Sequence, residues 1–231
     1  MKTHKCASTT IQNILLRYGR TNDLNFVLPT TGHLLGTNVP FKRDMIKGTV
    51  WEEAGLSYDI FLLHTIWNHQ EIGNTLSDQG DVFYVSVLRD PVELFRSWWD
   101  YLRLDNRYNK SLDEYALSFK SDSENETKNC PFGFNQMLKD FGLPCKDMND
   151  RAVIEKKIED IDETFDLILL ADKEFFSDSI ILLKDALCWE YRDVINFQLN
   201  SKKTEMKTTL SPLARQALKG KVKIRNHELI K

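Results

Sequence analysis

The stretch Val82-Phe-Tyr-Val-Ser-Val-Leu88 runs straight into Arg89-Asp90-Pro91. It is apolar on both faces, which suits a central parallel strand covered on two sides better than a half-exposed edge. Asp is a favoured helix cap and Pro a favoured first helical residue, so the strand is predicted to pass directly into a helix over 91–103. Phe165 to Ala171 is a second such run, set between helical patterns over 150–163 and 174–187. Tyr58 to Leu63, ending at His64, and Leu24 to Leu28, before Pro29, read as further strands. Helices are predicted over 8–19, 68–78 and 132–141, and one more opens at the capping box Ser111-Leu-Asp-Glu114. In the first, Ile11, Ile14, Leu15 and Tyr18 recur at helical spacing and Gly19 is the expected stop. Strands alternate with helices, so the expected fold class is α/β: a mostly parallel central sheet flanked by helices, in a single domain over 1–231.

Composition narrows what such a sheet can serve. With 42% hydrophobic and 28% charged residues, 231 residues suffice for one full α/β core. A formal net charge of −3 offers no bulk attraction for nucleic acid, so none is expected as a partner and any anion site must be local. No apolar run reaches the roughly 18 residues of a membrane span, and the polar start argues against a signal peptide. None of the cysteines (Cys6, Cys130, Cys145, Cys188) forms a C-x-x-C pair, and no Asp/Glu cluster suggests a metal, so none is expected. Sequons stand at Asn109 and Asn125, in a polar stretch. Residues 30–55 and 120–130 read as loop, and the basic tail from about 200 as less ordered.

Two stretches carry chemistry. Lys2-Thr-His-Lys-Cys-Ala-Ser-Thr-Thr10 stands directly before the first helix, where unpaired amides and the helix dipole favour an anion. Lys5 adds a full charge; Ser8, Thr9 and Thr10 add hydroxyls. The loop has no glycine and is not a Walker A sequence. The bland alternative is an ordinary capped helix start. Arg89 follows a buried strand, with Ser97 about two turns into the next helix; a guanidinium fork and a hydroxyl match phosphate oxygens. Its bland alternative is an ion pair with Asp90. Together they describe two anion pockets on one sheet edge, suited to a nucleotide phosphorylated at both ends of its ribose. Trp98 and Trp99 are expected in the core rather than under a sugar.

These motifs resemble those of the sulfotransferases that use 3′-phosphoadenosine 5′-phosphosulfate (PAPS), and within them the galactose 3-O-sulfotransferases, which include galactosylceramide sulfotransferase. Lys2 to Ser8, followed by Asn13-Ile-Leu-Leu-Arg17-Tyr-Gly19, is similar to their 5′-phosphosulfate loop; Val87-Leu-Arg-Asp-Pro91 with Ser97 is similar to their 3′-phosphate motif. Phe26 to Pro29, the strand ending at His64, Leu169-Leu-Ala171, Leu187-Cys-Trp189 and Leu199-Asn200 extend the likeness over roughly residues 2–213.

The resemblance implies a P-loop NTPase-like sulfotransferase fold whose first strand, ahead of Lys2, is missing or truncated here, with a possible truncation at the C-terminus too. It implies transfer of a sulfuryl group from PAPS to a hydroxyl, the 3-OH of galactose, on a glycolipid or glycan. Lys2, Thr3, Lys5, Cys6, Ala7, Ser8, Thr9, Thr10, Arg89 and Ser97 would bind the donor. Lys5 would stabilise charge on the leaving oxygen. A histidine would act as base: His64 first, His4 second. His33, His69 and His227 receive no role. Cys6 stands where the family has Thr. A Golgi lumen location follows, with membrane association through an anchor outside this chain, and makes Cys130 and Cys145 disulfide candidates. Three other classes stay open: a non-catalytic nucleotide- or glycan-binding relative, a P-loop kinase-like phosphotransferase, which would want a Walker glycine loop, and a plain structural domain.

Overall fold

The structure, a computed structural model, describes residues 1–32, 34–36, 39–76, 81–118, 135–197 and 208–219. These form a mixed α/β protein in two compact units. The first comprises Met1–Leu88, Asp140–Gly142 and Glu163–Leu199; the second comprises Arg89–Lys139, Leu143–Asp162 and Asn200–Lys231.

In the first unit, β1 (Val85–Leu88) and β2 (Leu167–Leu170) pair in parallel, Val85 opposite Leu167 and Leu88 opposite Leu170. The strand expected from Val82 starts late because a side chain interrupts the ladder. The Asp166 carboxylate accepts from the Tyr84 amide at 2.7 Å. The Tyr84 carbonyl in turn takes the amides of Asp166 and Leu167. The strands expected over 24–28 and 58–63 reduce to isolated parallel bridges, Phe26 to Ile60, Leu34 to His64 and Pro40 to Ile66. Pro29 and two left-handed glycines, Gly32 (φ 75°) and Gly36 (φ 78°), turn the chain out between these contacts.

Helix α1 (Ser8–Thr21) runs past the predicted stop at Gly19. That glycine is buried, and a Cβ there would come within 2.4 Å of the Phe26 ring, so it serves close packing rather than termination. Arg17 donates to the carbonyls of Asp193 and Ile195, and Tyr18 stacks on Trp189 with centroids 3.9 Å apart. Helix α2 (Val50–Glu53) lies in the stretch read as loop, as does a 3₁₀ turn over Arg43–Ile46. Helix α3 (His69–Leu76) precedes β1.

The second unit holds α4 (Pro91–Leu102), α5 (Leu104–Tyr108), α6 (Leu112–Ser118), α7 (Gln136–Asp140), most of α8 (Arg151–Thr164) and, later, α11 (Pro212–Lys219). Helix α7 ends on Asp140, a residue of the first unit. Trp98 and Trp99 are buried, and Trp99 packs with Val92, Phe95, Leu104, Leu112 and Ala116. The capping box forms as read: Ser111 Oγ accepts from the Glu114 amide and Glu114 from the Ser111 amide. In the first unit, α9 (Phe176–Ala186) packs on β2 through Ser179, whose hydroxyl accepts from the Leu170 amide at 2.9 Å, and α10 (Tyr191–Val194) follows.

The tail departs from expectation. Helix α11 (Pro212–Lys219) buries Ala214 and Leu218 in the Trp99 cluster, and Arg215 pairs with Glu93. Its apolar residues, Leu213, Ala214, Ala217 and Leu218, repeat over only two turns within a basic segment, too short a run to stand out in advance.

Candidate active site

The loop before α1 is held at both ends. The Met1 amine donates to the Val85 carbonyl and the Thr3 hydroxyl to the Val87 carbonyl, tying residues 1–3 to β1. Thr3 is fully buried, and Cys6 too, its thiol donating to the His4 carbonyl at 3.3 Å. Ser8 and Thr10 are buried, while Ala7 and Thr9 are exposed.

The backbone between these anchors is the informative part. Lys5 (φ 59°) and Ala7 (φ 51°) both adopt the left-handed conformation. For residues with a Cβ each costs roughly 1–2 kcal/mol, a strain that concentrates at functional sites. Ala7 is the N-cap of α1, no side chain caps that end, and no acid lies in its first turn. A helix start with a positive dipole, beside left-handed residues, is a setting that favours an anionic oxygen cluster. The lysines supplement it. Lys2 Nζ donates to Gln12 Oε1 at 2.5 Å, and burial pushes its ammonium down to about 8.

Both predicted histidines join this loop. His64 Nδ1 lies 3.0 Å from the Lys2 carbonyl oxygen. A carbonyl only accepts, so Nδ1 carries the proton and Nε2 is the lone-pair nitrogen of the neutral ring. The His4 ring stacks on His64, centroids 4.1 Å apart and planes 17° off parallel. His4 in turn meets Asp140: Nδ1 to Oδ1 at 2.9 Å and its amide to Oδ2 at 2.7 Å. The Asp140 side chain is only 2% exposed. Sequence reading missed this residue because it lies 136 positions from its partner, and a lone Asp at a helix end carries no local signal. The structure thus gathers Lys2, Thr3, His4, Lys5, Cys6 and His64 in one unit.

Arg89 and Ser97 belong to the second unit, both partly buried, flanking a conventional helix start. Asp90 caps α4 by accepting from the amides of Val92 (3.0 Å) and Glu93 (2.9 Å). Among the described residues, no group of His, Cys, Asp and Glu side chains could hold a metal ion. Cys145 is disulfide-bonded, whereas Cys130, His33, His227 and the Asn125 sequon lie outside the described residues. No helix among the described residues is long and apolar enough to cross a membrane.

Comparison with known proteins places the chain as a whole. A family model described as galactose-3-O-sulfotransferase matches residues 1–226. The chain belongs to the galactose-3-O-sulfotransferase family. It is 31% identical over 220 residues to galactose-3-O-sulfotransferase 2 of Mus musculus, covering 92% of this chain and 54% of that protein. It is 28% identical over 219 residues to galactosylceramide sulfotransferase of Bos taurus, covering 91% of this chain and 50% of that protein. The human galactosylceramide sulfotransferase matches at 28% over 211 residues, 88% of this chain and 48% of that one. The chain therefore spans about half the length of these relatives. No solved structure matches it.

Proposed function

We propose that this chain transfers a sulfuryl group from PAPS to a galactose hydroxyl, the 3-OH, on a glycolipid or glycan, within a P-loop NTPase-like sulfotransferase domain. The observation that carries the reading is the hydrogen bond from His64 Nδ1 to the Lys2 carbonyl, which holds the imidazole against the anion-binding loop. The loop fits the donor: it has a left-handed backbone, an uncapped helix start, lysines and no nearby first-turn acid. The donor supplies an activated sulfur–oxygen bond to phosphate.

The remaining chemistry falls to side chains. His64 Nε2 accepts the proton of the attacking sugar hydroxyl as its oxygen bonds to sulfur and the bridging oxygen departs with the electron pair. A positioned base is typically worth 10²–10⁴-fold. Lys5 stabilises the charge that builds on that bridging oxygen, an interaction stronger in the transition state than before it. Lys2, Thr3, Cys6, Ala7, Ser8, Thr9 and Thr10 form the rest of the 5′ loop, and the strand-end motif assigns the donor's 3′-phosphate to Arg89 and Ser97. A disulfide at Cys145 supports an oxidising compartment, in keeping with the Golgi lumen.

Thermal unfolding with the desulfated product, 3′-phosphoadenosine 5′-phosphate, tests donor binding. At 100 times its Kd the product should stabilise by about 2.7 kcal/mol. Arg89→Ala should abolish the gain. Binding without transfer to any galactoside would indicate a non-catalytic relative; a folded chain showing no shift would sink the reading.

A further inference from the structure

We propose that Asp140 is the positioning residue of His4, a role that rests on the sulfuryl-transfer reading above: its carboxylate fixes the tautomer and plane of the His4 ring, so that Nε2 of His4 accepts a hydrogen bond beside Nε2 of His64. The geometry is specific on both sides of the pair. One carboxylate takes two donors from the same residue, the ring Nδ1 at 2.9 Å and the backbone amide at 2.7 Å. A purely structural tie to the loop would need only the amide, which any short acceptor could hold. The second bond aims the ring.

Asp140 is itself fixed. Its carbonyl accepts from the Trp67 amide at 2.8 Å. Two residues on, Gly142 has φ 86°, and a Cβ there would lie 2.6 Å from the Trp67 carbonyl oxygen. Only glycine permits that approach, so the backbone that presents Asp140 is specified as well. A carboxylate this buried is costly unless its oxygens are satisfied, and both are engaged by His4.

The tautomer follows from chemistry. An ionised carboxylate only accepts, so His4 Nδ1 donates, and in the neutral ring Nε2 holds the lone pair. His64 reaches the same state by a different partner, the Lys2 carbonyl. The stacked rings therefore present like nitrogens, one set by a charged group and one by a neutral group. An amide at position 140 cannot reproduce this. Its oxygen can serve the His4 amide only if its NH₂ faces Nδ1, which drives the ring proton to Nε2. The same replacement in the serine-protease triad gives the wrong tautomer and drops kcat about 10⁴-fold.

The test compares the full chain with Asp140→Asn, His4→Ala and the double variant. It reads kcat and KM for transfer from PAPS to a galactoside, stabilisation by 3′-phosphoadenosine 5′-phosphate, and the ¹⁵N shifts of the His4 imidazole. Asp140→Asn should keep the nucleotide-induced stabilisation, lose at least about 10²-fold in kcat with little change in KM, and move the His4 proton from Nδ1 to Nε2. The double variant should be no slower than His4→Ala, because Asp140 acts through that ring. An unshifted His4 tautomer in Asp140→Asn, or multiplicative losses in the double variant, would overturn the proposal. If Asp140→Asn does not fold, the unsubstituted chain still decides: a His4 proton found on Nε2 refutes the assignment. No transfer by a folded, unsubstituted chain would instead overturn the sulfuryl-transfer reading alone, since the tautomer is read without turnover.

Discussion

Helices α1 and α4 both begin at a motif that the sequence marks as anion-binding, yet their starts are built in opposite ways. Helix α4 is closed from within: Asp90 accepts two first-turn amides, Pro91 removes a donor, and Glu93 places an acid in the first turn. Helix α1 has a left-handed Ala7 as cap, no side-chain acceptor and no first-turn acid. The α4 start satisfies two first-turn amides with its own carboxylate; the α1 start has no side-chain acceptor and carries a conformational cost at Ala7. The comparison teaches that Arg89 can serve an anion through its guanidinium, whereas the Lys2–Thr10 loop can serve one through its backbone as well.

The largest test of this contrast is Lys5→Ala. Losing a donor to developing oxyanion charge should lower kcat about 10²–10³-fold, with the melting temperature nearly unchanged. Turnover close to normal would remove the loop from the chemistry. Next come the two helix starts compared directly by chemical denaturation. Asp90→Ala should destabilise by about 1 kcal/mol through loss of a true cap. Ser8→Ala, where no side-chain cap exists, should cost about half that or less. Equal costs would erase the distinction.

A smaller effect is expected at Ala7. Glycine tolerates its left-handed φ, so Ala7→Gly should be neutral or stabilising by up to about 1 kcal/mol, against the usual loss of about 1 kcal/mol for Ala→Gly in a helix. A clear destabilisation would show that the strain is not there. The smallest effect is in pH. Lys2 is charged below about 8 and neutral above it, because burial disfavours its ammonium. Affinity for 3′-phosphoadenosine 5′-phosphate, measured by titration calorimetry, should therefore fall a few-fold as pH rises from 7 to 9. Lys2→Arg should flatten that dependence, since a guanidinium stays charged throughout.

Much of this was legible where the signal was local. The α4 cap and the capping box at Ser111 follow from residues a few positions apart and form as read, and α8 and α9 lie within two residues of their expected bounds. Signals that depend on distant partners misled. Gly19 looks like a helix stop but is a contact with Phe26, and the strand from Val82 is shortened by Asp166 across the ladder. The tail helix α11 was missed because its apolar repeat, Leu213, Ala214, Ala217 and Leu218, lasts only two turns inside a basic segment.

The amino-acid order by itself determined the mixed α/β character, the caps at Asp90 and Ser111 and which short loop concentrates lysine, histidine and hydroxyls, since each depends on backbone preference and periodicity within one element. Only the tertiary structure decided that Lys5 and Ala7 take the left-handed conformation and that His4 stacks on His64. It alone brought Asp140 to His4 from 136 residues away. Side-chain partners are chosen by the packing of whole elements, and that packing is a property no short stretch of chain carries.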